Sequence, residues 1–136
     1  MSATFRVLNA VMIPIFAISV YVQYNDPDPL AWMAIYGAAL ISCVLVVRDR
    51  RYWQFSVLIG AIALGWAASL LPHVLGRVAL EQMFESWTMN NNPLVEEARE
   101  SGGLLIVASW MLLQTLAIRF AAPAIPQASI QAAQSR

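Results

Sequence analysis

The chain has 136 residues, of which 60% are hydrophobic and only 12% charged, and eight basic residues balance eight acidic ones. A mean hydropathy of +0.62 excludes an ordinary water-soluble globule, and the neutral charge with no basic patch excludes a nucleic-acid surface. The single cysteine, Cys43, excludes an intrachain disulfide and any CxxC metal or redox motif.

Four apolar runs cover residues 5–24, 30–47, 52–71 and 103–120. A helix needs about 20 such residues to cross a hydrocarbon core of about 30 Å. The runs predict an all-α fold: a four-helix transmembrane bundle forming a single membrane domain over 1–120. A single Arg, Arg6, stands at the start of the first run and no A-x-A site follows it, so it reads as a retained anchor and not a cleaved signal. Arg6, Arg48, Arg50, Arg51, Arg119 and Arg136 fall on one side of these spans; Arg77 and Arg99 fall on the other with most of the acids. Short basic loops stay cytoplasmic, which predicts N-in and C-in. All basic residues are Arg and none is Lys, a usage that hints at a GC-rich bacterial genome and hence a bacterial inner membrane.

In span one, Pro14 is expected to kink the helix, and Asn9 and Ser19 are its polar groups. Ala34, Ala38 and Ser42 with Gly37 in span two, and Ala61, Gly65 and Ala68 in span three, are spaced as small residues at a helix–helix seam. Cys43 reads as a small packing residue, and Ser109 and Gln114 as interhelical hydrogen-bonders. No Lys, Arg, Asp, Glu or His lies in the middle of a span. Such groups mark ion pathways and proton relays, so the pattern argues against a pump or a charge-coupled transporter. Tyr52 and Trp53 fall where aromatic rings prefer the interface.

The loop before the last span is the longest. Leu80, Met83, Phe84 and Trp87 recur at helical spacing, predicting an amphipathic helix over 77–87 that lies along the membrane surface. Asn92 then reads as an N-cap with Pro93 at the first helical position. A helix from 93 to 120 is about 42 Å long, so its acidic first turns should stand outside the hydrocarbon. Gly102 and Gly103 mark a close helix contact or a bend. Residues 121–136 read as a flexible cytoplasmic tail.

"QYNDPDPLAW", residues 23–32, joins the first two spans. Asp28 as N-cap, Pro29 as first helical residue, Pro27 as a stiffener and Trp32 as an interfacial anchor explain part of it. Gln23, Asn25 and Asp26 are left over. In the second acidic stretch Glu96 and Arg99 are spaced to pair, while Glu97 and Glu100 share a face with Gly103 and lack a local counter-charge. His73 ends span three on the same side. Asp26, His73, Glu97 and Glu100 are therefore candidate ligands for a hard or borderline divalent ion, and Arg99 is the expected counter-charge for Asp26. No nucleophile, zincin, Walker or dinucleotide motif is present, so no residue is assigned a catalytic role, an enzyme is not the favoured reading, and no cofactor is named.

Two stretches carry a resemblance. Gln23, Asn25, Asp26, Pro27, Asp28, Pro29, Trp32 and Tyr36 resemble the Q-x-N-D-P-D-P…W…Y signature of the transmembrane protein 220 family. Glu97, Arg99, Glu100, Gly103 and Leu104 resemble its second block at the opening of the last helix. The family is a set of small membrane proteins without an agreed activity; the resemblance implies a four-span layout and joins the two acidic blocks into one feature. Two functions stand open. One is a non-catalytic accessory or interaction subunit, partnered by the bilayer and by another membrane protein or a second copy, with no nucleic acid. The other is an outward-facing site for a divalent cation or lipid headgroup at the NDPDP turn and the EEARE helix start. The charge asymmetry makes a direct prediction: cysteines introduced at Asn25 and Asn91 label from outside intact cells, and one at Asp49 is protected. Labelling of the Asp49 position alone would invert the topology.

Overall fold

A chain that crosses lipid must satisfy its backbone polar groups internally, and helices do so residue by residue. The computed structural model describes residues 2–26, 28–83 and 92–120. It has four long helices, α1 (Ala3–Val22), α2 (Pro29–Val47), α3 (Trp53–Val74) and α4 (Pro93–Arg119), and no strand among the described residues. All four are long and apolar enough to span a membrane. Their antiparallel order puts the start of α1 and the end of α4 at one end of the bundle, the arginine end; the NDPDP turn and the start of α4 form the acidic end.

Local chemistry sets the boundaries. Ser2 caps α1 by accepting from the Phe5 amide at 3.3 Å, and α1 runs through Pro14 as one helix. Asn92 caps α4, its side chain accepting from the Leu94 amide at 3.1 Å, with Pro93 in the first turn. The tight turn between α2 and α3 passes through Asp49 at φ 60°, a left-handed conformation that Asp tolerates better than most residues. Arg51 steadies it, donating from Nε and Nη2 to Asp49 Oδ1 at 3.2 and 3.1 Å.

Asp28 departs from its expected role. It occupies the N-cap position of α2 but makes no capping bond with its side chain. The turn is closed instead by Asp26, whose Oδ1 accepts from the Asp28 amide at 2.9 Å. The amphipathic helix expected over 77–87 also differs where it is described. Arg77 and Val78 are turn and bend, and Leu80–Met83 form one 3-10 turn with Leu80 exposed. Phe84 and Trp87 lie outside the described residues, as do Pro27 and the tail at 121–136.

The helices pair as two hairpins, α1 with α2 and α3 with α4, and α2 joins them by touching both α3 and α4. The α3 face turned inward carries Ser56, Ile59, Ala63 and Ala67, all buried. Gly60 lets α4 come close, for a Cβ there would sit 3.1 Å from that of Met111. The expected seam of Ala61, Gly65 and Ala68 is one step around the helix and exposed, and Ala34 of α2 is exposed too. Span three carries two rows of small residues; the row that also bears Ser56 turns inward, where its hydroxyl finds partners that lipid cannot provide. Trp32 likewise departs from its interfacial role. It is 4% exposed and stacks on Trp66 at 4.3 Å and Tyr36 at 6.3 Å between ring centroids. Cys43 is buried and accepts from Trp110 Nε1 at 3.3 Å.

Near the arginine end, four side chains, one from each helix, form a closed polar knot. Gln114 of α4 donates from Nε2 to Asn9 Oδ1 of α1 at 2.7 Å. Its Oε1 accepts from Ser56 of α3 at 2.7 Å and from Ser42 of α2. Asn9 in turn donates to the Phe5 carbonyl at 2.8 Å. All four residues are at most 2% exposed. Ser109, in contrast, faces outward. Interhelical hydrogen bonds in bilayers are worth about 0.6 kcal/mol on average, but Gln114 serves three partners at once. Gln114→Leu should therefore cost about 2 kcal/mol, and Ser42→Ala about 0.6 kcal/mol, by reversible unfolding in mixed micelles. Equal costs for the two changes would show that Gln114 does not hold the knot together.

A candidate cation site at the acidic end

Asp26 owes its position to the turn before it. After α1 the chain makes a 3-10 turn over Gln23–Asn25, and the Asp26 amide donates to the Gln23 carbonyl at 3.1 Å. With Oδ1 held by the Asp28 amide, the carboxylate is folded under the turn and only 9% exposed. Its second oxygen, Oδ2, is buried with no hydrogen-bond partner. Facing it on α4 are Glu96 and Glu100, which lie one turn apart on one face. Asp26, Glu96 and Glu100 each offer a carboxylate oxygen within 4.8 Å of the others.

These acids line a cleft of about 710 Å³ between the NDPDP turn, α3 and the start of α4; Asp28 and Glu97 complete its acidic side, and Trp32 and Trp66 form an apolar wall. The 27 residues of α4 rise about 40 Å against a core of about 30 Å. Its acids all lie in the first turns, ahead of the hydrocarbon-crossing stretch. Burial, reinforced by the negative charges of Asp26, Glu96, Glu97 and Asp28, pushes the Glu100 carboxyl up to about 7 from its ordinary 4.5. Below the cluster lies Tyr36, whose hydroxyl occupies the space a side chain at Gly103 would need. That is the close contact the paired glycines implied.

Arg99 is not the counter-charge of Asp26. One residue before Glu100, it is rotated about 100° around the helix and donates from Nε to the Met83 carbonyl at 2.8 Å. Nor does it pair with Glu96 among the described residues. His73, in the last turn of α3, places Nδ1 3.4 Å from Glu97 Oε2, within ion-pair reach but without hydrogen-bond geometry. His73 and Glu97 thus sit beside the three-acid cluster and are not part of it. Glu96 takes the place expected for Glu97. The i, i+3 spacing pointed to Glu97 with Glu100, whereas the rotation of α4 in the bundle brings Glu96 and Glu100 to Asp26. Gln23 and Asn25 build the turn, and Gln23 Oε1 is a further buried oxygen without a partner. Asp28 stands exposed at the rim.

The buried side-chain atoms without a hydrogen-bond partner among the described residues are Gln23 Oε1, Asp26 Oδ2 and Glu97 Oε2, the last of which has His73 within ion-pair reach. All are acceptors, and all lie at the acidic end. Leaving a buried acceptor unpaired costs about 1–3 kcal/mol, so this end has a shortage of positive charge and donors.

Residues 15–116 match the family described as "Transmembrane family 220, helix". The chain is 34% identical over 112 residues to Transmembrane protein 220 of Xenopus laevis, an alignment covering 79% of this chain and 56% of that protein. The chain thus spans little more than half the length of that curated relative. A frog protein lends no support to the bacterial inner membrane suggested by arginine usage. No solved structure matches. Four spanning helices make this an integral multi-pass membrane protein, and the match over most of its length shows that the chain belongs to transmembrane family 220.

Proposed function

We propose that the acidic end binds a hard divalent cation, held by Asp26, Glu96 and Glu100 on the outward side of the membrane. The observation that carries this reading is the Asp26 carboxylate: nine-tenths buried, with one oxygen unpartnered, and facing two further carboxylates. A carboxylate taken from water needs a cation or a set of donors, and Arg99 is engaged elsewhere. Oxygen-only ligands suit calcium, magnesium or manganese over zinc or copper.

The ligands come from different hairpins. Asp26 belongs to the link between α1 and α2, Glu96 and Glu100 to α4. A bound ion therefore ties the hairpins together at the end opposite the Gln114 knot. This reading is preferred to an accessory subunit because a partner-binding seam gives no reason for an unpaired carboxylate buried away from that seam.

Purified protein should be stabilised at pH 8 by calcium, magnesium or manganese, by about 2.7 kcal/mol at a free concentration one hundredfold above Kd. Asp26→Asn should abolish that gain, Glu96→Gln and Glu100→Gln weaken it, and His73→Ala leave it unchanged. No stabilisation by any of the three ions, or equal stabilisation of Asp26→Asn, would defeat the reading.

The pH dependence follows from Glu100. Its folded-state value is raised, so the metal-free fold holds that proton more tightly than the unfolded chain and loses stability as pH rises from about 4.5 to about 7. Glu100→Gln should remove this slope. Cation affinity should run the opposite way, rising through about 7 as Glu100 ionises, and titration calorimetry at pH 6 and pH 8 measures it.

A further inference from the structure

A groove of about 310 Å³ runs along the outer surface between α3 and α4, far from the acidic cleft. Its sides are the bulky residues Val57, Leu64 and Leu112, which are 43%, 55% and 59% exposed. Its floor is low because Gly60, Ala61 and Ala108 stand between them. From Ser56 to Leu64 the groove extends about 12 Å along α3. That is close to the depth of one leaflet, about 15 Å of a core about 30 Å thick.

The end of the groove is marked. Trp53 lies four residues before Val57 on α3, and Arg119 lies four residues after Thr115 on α4, so both continue the stripes that line it. The Arg119 guanidinium stacks over the Trp53 ring, 4.8 Å from its centroid. This pairing holds an exposed positive charge at the membrane surface. Among the described ion pairs, Asp49 engages Arg6 and Arg51, and none engages Arg119. A one-leaflet apolar slot that opens beneath a stacked arginine has the charge and shape of a phospholipid: chain below, phosphate above.

We propose that this groove holds one acyl chain of an anionic phospholipid whose phosphate rests on Arg119. The site is independent of the cation cleft. Acidic headgroups are drawn to basic residues near the surface, and a chain filling the groove replaces loose lipid contacts over Gly60 and Ala61 with continuous ones.

The test is native mass spectrometry of the full chain with equimolar phosphatidylglycerol and phosphatidylcholine of identical chains. Wild type should retain the glycerol lipid about fivefold over the choline lipid. Arg119→Gln should bring the two to parity. Ala61→Phe, or the milder Ala61→Leu, should reduce retention of both by filling the slot; Ala61 is exposed, so the core is not touched. Parity in wild type would overturn the proposal. So would undiminished phosphatidylglycerol binding in both Ala61 variants, which would mean headgroup adsorption at the arginine end without use of the groove.

Discussion

Gln114 is the side chain on which the bundle's geometry turns. In hydrocarbon, apolar faces are nearly interchangeable, because lipid tails solvate them about as well as a neighbouring helix does. Polar side chains are not interchangeable. Gln114 needs an acceptor for its amide N–H and donors for its carbonyl; Asn9 supplies the first and Ser42 and Ser56 the second, from the other three helices. Satisfying that one amide sets the rotation of every helix. It explains why α3 turns inward the row containing Ser56, and why Ala61, Gly65 and Ala68 face out.

The rotation propagates along α4. Once Gln114 points to the bundle axis, Met111, Val107, Leu104 and Ser101 follow it inward at helical spacing, and all are buried. Continuing toward the start of the helix, the same rotation brings Glu100 and Glu96 to face Asp26, and turns Arg99 toward the Met83 carbonyl. The two ends of the bundle thus stand in contrast. At the arginine end every polar group of the knot has a partner. At the acidic end oxygens are buried without a hydrogen bond, and burial, reinforced by repulsion from the neighbouring carboxylates, raises Glu100 toward neutrality. Stability is satisfied at one end, and a demand for positive charge is created at the other.

Much of this was legible in the chain itself. The four apolar runs, the Asn92-Pro93 helix start and the close contact at Gly103 follow from local rules about hydrocarbon thickness, capping and small residues. The family resemblance joined the acidic blocks into one feature, but Gln23, Asn25 and Asp26, which turn chemistry was expected to leave over, build and close the turn. What could not be read was orientation around each helix axis. Trp32 looked like an anchor because it follows Asp28-Pro29, yet Trp66 offers it a ring face inside the bundle. Spacing grouped Glu97 with Glu100 and Glu96 with Arg99, and Arg99 looked like the natural counter-charge of Asp26.

The sequence by itself determined the class and the layout: hydrophobic length dictates four crossings, and charge placement separates an arginine end from an acidic one. Tertiary structure alone decided which faces meet, which acids converge, and where a groove opens toward lipid. The reason is that spans rich in small and aliphatic residues have little amphipathic signal to mark an inner face. Their rotation is chosen by a few polar side chains whose partners lie 14 to 105 residues away in the chain, and that pairing exists only once the helices are packed.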